Sequence, residues 1–348
     1  MKSRLLAVAV AGALASPAAF AQTLYGIVDV GYQHARHADG DVNKRFIQSG
    51  QHSGSRFGVR GSEDLAAGTY AMYQIEFNIL ADTGGPGATD TTRLTMVGMG
   101  SKAWGELTLG RQYTHSFHTF AVGSASGYGT FSSFYVPDGP GITTRASNSV
   151  KYSSPVMGGF SVGALWAPGG TLATESTAVG ASDNGDYTDF ALRFTPGPLG
   201  IALSRARQIT QAAGVENHLK FNQVTANWDN RAYGLYGGYI TRRNQGAAAG
   251  ATPTDVRSFW VNPVARFGGR HELYALWGRV KNKLLAGGDA SVVALTYQHV
   301  LSKRTRIYTS LGRVDNDAAS AVELNAFASA VAAGYDPRGF QLGLLHSF

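Results

Sequence analysis

From Leu24 to the C-terminus the chain alternates apolar and polar residues with period two. The segments run to about ten residues and are broken by Gly, Asn, Asp, Ser and Pro. Leu24, Gly26, Val28, Val30 and Tyr32 share one face, opposite Tyr25, Ile27, Asp29, Gly31 and Gln33. Phe57 and Val59 alternate with Arg56, Gly58 and Arg60. Ala71, Tyr73, Ile75 and Phe77 alternate with Met72, Gln74, Glu76 and Asn78. Phe340, Leu342, Leu344 and Phe348 close the chain against Gln341, Gly343 and Ser347. Strands with one apolar and one polar face, repeated along a whole chain, predict a closed antiparallel barrel whose outer face meets lipid and whose inner face meets water.

The connections alternate between short and long. Tight breaks are expected at 63–68, 101–105, 155–159, 196–200, 229–231, 267–270 and 301–304. Long stretches rich in Gly, Ala, Ser, Thr and Asp are expected at 34–54, 81–91, 112–144, 167–186, 243–254 and 315–335. Short turns at one end and long loops at the other are the layout of an outer-membrane barrel, and the segments number about sixteen. The stretch from Gln112 to Thr144 exceeds the roughly 12 to 15 residues that structureless loops usually reach, which points to a functional role.

The first residues stand outside this pattern. Lys2 and Arg4 precede a short apolar run, and Ala19-Phe20-Ala21 forms a small-x-small cleavage site. That predicts a secretory leader over residues 1–21 and a single barrel domain over 22–348. No later stretch has the ~20 apolar residues of a spanning helix. The chain has no Cys, so disulfides, thiolate metal sites and Cys nucleophiles are excluded. Charged residues are 15%, against roughly 25% in soluble proteins, while Gly reaches 45 and Phe and Tyr reach 17 and 16. The net charge is +7, two units of which belong to Lys2 and Arg4. The basic residues are scattered without an aromatic-interleaved run, so nucleic acid is not an expected partner. No cofactor motif is present.

Local motifs sharpen the reading. Leu24-Tyr25-Gly26-Ile27-Val28-Asp29 is followed by Gly54-Ser55-Arg56-Phe57-Gly58-Val59-Arg60-Gly61-Ser62-Glu63-Asp64-Leu65. Then come Leu107-Thr108-Leu109-Gly110-Arg111-Gln112-Tyr113, Asn148-Ser149-Val150-Lys151-Tyr152 and Leu301-Ser302-Lys303-Arg304-Thr305. This series resembles the general trimeric porins of Gram-negative outer membranes, in particular their β-proteobacterial branch. The resemblance implies a 16-stranded antiparallel transmembrane β-barrel assembled as a homotrimer. It also implies a third loop, 112–144, folded into the pore. Lipid and lipopolysaccharide would surround such a barrel, and small hydrophilic solutes would pass through it.

On the same resemblance, Arg56, Arg93 and Arg145 match the constriction arginines of anion-preferring relatives, and Arg111 is a fourth candidate. Arg60 shares the inward face of Arg56 by period two. Physically, an arginine on a lumen face holds a fixed positive field, and rings of such residues select anions. The competing reading pairs these arginines with lumen carboxylates such as Glu76 and Asp29. The third loop carries a single acid, Asp138, and no Lys or Arg. That leaves the constriction net positive and predicts anion preference. His115 and His118 would add charge below about pH 6.5 if solvated, or else pack within the loop. Phe117, Phe120, Phe131, Phe134 and Tyr135 are expected to pin the loop to the inner wall rather than form a sugar-stacking track.

Two other functions fit a barrel. A substrate-specific channel for acidic solutes or sugars would use the same arginines. A barrel enzyme would need a Ser–His or Asp–His constellation at the rim, and no motif marks one.

Overall fold

A computed structural model describes residues 22–36, 43–86, 92–125, 131–133, 136, 143–169, 185–212, 215–244, 254–324 and 331–348. The expected leader, Asp138, Phe134 and Tyr135 lie outside the described residues.

The strands run in chain order as β1 (Thr23–Arg36), β2 (Asn43–Ser49), β3 (Arg56–Asp64), β4 (Thr69–Leu80), β5 (Gly85–Pro86) and β6 (Thr92–Ser101). Next are β7 (Gly105–Tyr113), the helix α1 (His115–Val122), β8 (Arg145–Ser153), β9 (Phe160–Ala167) and β10 (Tyr187–Phe194). The second half comprises β11 (Leu199–Ala212), β12 (Val215–Asp229), β13 (Tyr233–Asn244) and β14 (Thr254–Phe267). It ends with β15 (His271–Asn282), β16 (Ala290–Val300), β17 (Thr305–Asn316) and β18 (Arg338–Ser347). Each wall strand pairs antiparallel with its neighbour, and β1 closes the ring against β18 from Ile27↔Ser347 to Arg36↔Arg338. Both β2 and β3 pair with β1, so they are two halves of one wall strand interrupted at 50–55. The two-residue β5 only caps the end of β4. The wall therefore has sixteen strands.

Closure satisfies every wall strand's backbone in a ladder and leaves no edge, which is what lipid demands of a spanning sheet. Among the described residues no helix is long and apolar enough to cross a membrane. The outer face is apolar and exposed, as at Val97, Met99, Leu107, Leu109, Val162 and Leu342. Phe348 folds back on the first strand, its backbone exchanging hydrogen bonds with Gly26.

Two expectations need correction. Most of the described residues of the stretch 34–54 are strand, because β1 extends to Arg36 and β2 runs over Asn43–Ser49. The alternation there is masked by the polar run Asn43-Lys44-Arg45, which lies at the barrel rim, where water rather than lipid meets both faces. The close hairpin that pairs Ala212 with Val215 was also not anticipated, since Gln211-Ala212-Ala213-Gly214 lacks the usual Asn-Gly turn signal.

The lumen is not uniformly polar. Ile240, Val256, Trp260, Leu276, Val280, Val292 and Val314 form a buried apolar cluster on the inner wall of β13–β17. Phe120, Phe131 and Val136 of the third loop pack onto it, as do Val322 and Leu324 from the connection after β17. Part of this barrel is thus a true core, made where loops cover the wall. Glycines allow the close approach. A Cβ on Gly312 would stand 2.4 Å from the Phe131 ring, and one on Gly163 would stand 2.2 Å from the His115 ring.

Candidate pore constriction

The third loop leaves β7 at Tyr113 and immediately turns helical. Thr114 caps α1 by accepting a hydrogen bond from Phe117 N at 3.1 Å. The helix lies against the inner faces of β9–β12, anchored by side chains of the wall. Asp189 on β10 accepts from Ser116 N at 2.6 Å and from Ser116 Oγ at 2.9 Å. Gln223 donates to Ser116 O at 2.6 Å and Thr225 donates to Thr119 O at 2.6 Å. Trp260 Nε1 donates to Gly123 O at 2.7 Å, which fixes the helix end. Phe117, Phe120 and Phe131 are all buried, as loop-pinning residues should be.

The histidines of the loop are built in, not solvated. His115 is 1% exposed and its Nε2 sits 2.8 Å from Tyr152 O, while Arg193 donates to its carbonyl at 3.1 Å. Burial, then the nearby Lys151 and Arg193, push His115 down to about 3. The same causes, with His115 added, hold His118 well below its ordinary range. Both rings are neutral at physiological pH, so the reading in which they charge below about pH 6.5 is replaced by the packing one.

Opposite the helix, the wall formed by β1, β3, β4, β6, β7 and β8 gathers a polar cluster. Arg93 is its centre. Its Nε donates to Glu76 Oε1 at 2.5 Å, its Nη1 to Asn78 Oδ1 at 3.0 Å and its Nη2 to the Tyr113 hydroxyl at 2.6 Å. Arg56 approaches the same Glu76 oxygen at 3.9 Å and donates to Ser53 Oγ at 2.7 Å. Tyr25 donates to the other Glu76 oxygen at 2.9 Å and accepts from Gln74 at 2.6 Å. Arg145 stacks over the Tyr113 ring at 4.9 Å and reaches its hydroxyl at 3.5 Å. Its Nε is buried and has no hydrogen-bond partner among the described residues. Three guanidinium groups therefore converge on one carboxylate and one phenol.

Irregularities in the ladder make this possible. Glu76 pairs with Leu94 and Phe77 with Thr92, so Arg93 is the extra residue of a β-bulge. By strict period two Arg93 would face lipid with Thr95, Val97 and Met99; the bulge turns it into the lumen. Tyr113 has the parity of the outward Leu107 and Leu109, and a second irregularity between Gly110 and Gln112 turns it inward. Asn148, with φ of +52°, marks that break on the facing strand.

Of the residues singled out from sequence, Arg56, Arg93 and Arg145 come together. Arg111 does not join the Glu76 contacts; its guanidinium donates to Thr92 O at 3.0 Å and Ser147 Oγ at 2.8 Å. Arg60 shares Arg56's face but sits lower, over the Tyr25 ring at 5.3 Å. Asp29 makes no direct contact with the three arginines, but it lies near enough to Arg56 to feel its charge and shares Ser53 with it. It accepts from the Tyr308 hydroxyl and from the amides of His52 and Ser53, closing the strand interruption. Sequence reasoning missed Tyr113 and the loop anchors Asp189, Gln223 and Thr225. The only sign of the three anchors was inward parity on polar side chains, which many lumen residues share, and Tyr113 carried not even that.

A closed sixteen-strand barrel with an inward loop and an arginine-lined narrowing is the architecture of an outer-membrane porin. Residues 6–319 match the family described as Gram-negative porin, and the chain belongs to it. It is 31% identical over 365 residues to outer membrane porin protein 32 of Delftia acidovorans, covering all of both chains. It is 29% identical to an outer membrane porin protein of Bordetella pertussis, over 88% of this chain and 93% of that one. The anion-selective porin from Comamonas acidovorans superposes with a TM-score of 0.83 at 25% identity, covering 94% of this chain and 99% of that one. OmpT of Vibrio cholerae, in its trimer form, shares the fold with a TM-score of 0.69 at 17% identity, covering 94% of this chain and 99% of that one. The protein is an outer-membrane porin.

Proposed function

We propose that this porin is a passive, anion-preferring diffusion channel for small hydrophilic solutes and carries out no catalysis. The carrying observation is the gathering at the constriction of Arg56, Arg93 and Arg145, for which Glu76 is, among the described residues, the carboxylate within ion-pair distance. Glu76 is spent on Arg93 and Tyr25, so it compensates one positive charge and leaves the field at the eyelet positive. Fixed guanidinium groups raise the local anion concentration in a narrow, low-dielectric passage. The loop opposite contributes only Asp138 by sequence. The likeness to an anion-selective porin supports the same reading. The mature chain starts at Gln22 after removal of residues 1–21, and three copies assemble in the membrane among lipid and lipopolysaccharide.

The testing experiment is the zero-current potential of the purified protein in a planar bilayer under a KCl gradient. A chloride-dominant sign supports the proposal. A potassium-dominant sign overturns it. The Nε of Arg145, without a hydrogen-bond partner among the described residues, also suits a bound carboxylate or phosphate, as a channel specific for acidic solutes would require. In that case millimolar phosphate or a dicarboxylate would block chloride current, whereas an unspecific channel would conduct both.

A further inference from the structure

The third loop is held at two places. Its start is fixed to the wall by Asp189, Gln223 and Thr225. Further along, it is covered by the connection between β17 and β18. Phe131 has a φ of +62°, a left-handed conformation that a bulky side chain keeps only when its surroundings hold it there. Its ring lies on two glycines that face each other across the ladder, Gly312 on β17 and Gly339 on β18. A Cβ on Gly339 would stand 3.1 Å from that ring. Val136 is seated in the same way on Gly278 of β15, where a Cβ would stand 2.6 Å from the valine. Leu324 closes over the Phe131 seat, with a methyl group 3.1 Å from the Cβ position of Gly312 that Phe131 also blocks. Phe131, Val136, Val322 and Leu324 are at most 4% exposed.

One side chain shapes the segment that carries Val322 and Leu324. Asn316 ends β17 and shares the inward parity of the buried Val314. Its Nδ2 donates to Val322 O at 3.0 Å and to Tyr335 O at 2.7 Å. Its Oδ1 accepts from Val322 N at 3.0 Å and from Ser320 Oγ at 2.8 Å. Two donors and two lone pairs are the whole capacity of an amide side chain, and all are used. The backbone at the base of the segment is tied separately to the connection between β15 and β16. Asp317 N donates to Asp289 O at 2.9 Å and Ala319 N to Gly287 O at 2.8 Å. The side chain of Asn316 thus folds the segment beyond a base that is already anchored.

We infer that Asn316 is a positioning residue for the constriction: it folds the last long connection so that Leu324 holds Phe131 on its glycine seat and keeps the third loop against the wall. The inference rests on the reading of the third loop as the element that narrows the pore. Contact runs from Asn316 to Val322 and from Leu324 to Phe131, so Asn316 acts through the packed loops and not on the solute. A leucine at position 316 has similar size and no charge, and it would pair with none of these groups. The buried amide and carbonyl of Val322 would then lack partners. Segments that lose such bonds open locally while the rest of the fold stays closed. The last connection would lift more often, and the third loop would lose its cover.

The chain has no Cys, so one introduced thiol reports on one place. Val136→Cys puts a small apolar side chain with a thiol in the third loop, and Ala202→Cys puts one at a fully buried position on β11, away from this contact. The full-length porin in detergent is treated with a small water-soluble methanethiosulfonate, and the rate of modification is followed by mass. Asn316→Leu is expected to speed modification at position 136 about tenfold and to leave position 202 unchanged. The same variant should show a larger single-channel conductance. Leu324→Ala keeps every bond of Asn316, removes the contact with Phe131, and should also speed modification at position 136. It decides the question alone if the Asn316→Leu barrel does not assemble. Unchanged modification at position 136 in assembled variants would overturn the inference. Equal acceleration at positions 136 and 202 would overturn it too, since the whole barrel would then be loosened. Faster modification with unaltered conductance would refute the third loop as the constriction, and with it the role of Asn316. The zero-current potential does not enter, so the anion preference can fail without this inference failing.

Discussion

Arg93 reaches Glu76 at 2.5 Å only because it is the residue that the β4–β6 ladder leaves unopposed. The pair is buried, and Glu76 is shared with Arg56 and Tyr25. Glu76 therefore sets how much of the arginine charge reaches the passing ion, and it also holds the guanidinium groups in register.

Replacing Glu76 by Gln removes the carboxylate that Arg93 and Arg56 contact and keeps the side-chain volume. The chloride-to-potassium permeability ratio should rise about fivefold, because one unit charge across roughly 8 Å of water acts with about 0.5 kcal/mol on each ion and with opposite sign on the two. The zero-current potential measures it, and a fall in the ratio would contradict the assigned role of Glu76.

Loss of an arginine acts the other way, and the two positions should differ. Arg145→Ala removes a cation that stacks on Tyr113 and should lower the permeability ratio about fivefold with little change in stability. Arg93→Ala removes a cation and also strands Glu76, so it should lower the ratio further and cost about 3 kcal/mol of stability. Bilayer potentials together with the barrel's heat-unfolding temperature on gels resolve the two effects. Equal unfolding temperatures for both variants would show that the Glu76–Arg93 pair carries no structural weight.

The loop histidines set a pH dependence with a definite sign. His115 is held to about 3, whereas an unfolded histidine titrates near 6.5. As pH falls through that window the unfolded chain takes up a proton that the folded loop refuses, so stability falls with acidification and is fully present above about pH 6.5. Ion selectivity should accordingly stay flat from pH 7 to pH 5, and the barrel's unfolding temperature should fall over the same range. A chloride preference that grows steeply between pH 7 and pH 5 would mean that His115 and His118 are solvated and titrating.

Asp189 is the wall's principal hold on α1, accepting both bonds from Ser116. Hydrogen bonds to a charged group contribute about 1.5–3 kcal/mol each. Asp189→Ala should free the start of the loop, widening the passage. Single-channel traces should show larger and noisier conductance, with the sign of selectivity kept by the arginine wall. An unaltered conductance would show that Gln223, Thr225 and Trp260 hold the loop without it.

Much of this molecule is legible in one dimension. Period-two alternation specifies strands, their two faces and closure into a barrel, because lipid on one side and water on the other act on each residue separately. The inward parity of Arg56, Arg60 and Glu76 follows directly, as does the long third loop with its pinning aromatics. Arg93 and Tyr113 were not readable from alternation alone. Arg93 was found through the family resemblance, since counting by twos places it among the lipid-facing residues.

The class of fold, the membrane-facing surface and the excess of positive charge available to the lumen all follow from residue type and spacing along the chain. Which arginines converge, which histidines are neutral and which acid holds the loop emerge only once the barrel has closed. Those outcomes depend on two ladder irregularities and on contacts between residues far apart in the chain, such as Ser116 with Asp189 and Gly123 with Trp260. A single bulge reverses the parity of a strand segment, and nothing in the local residue pattern marks where a closed barrel must place it.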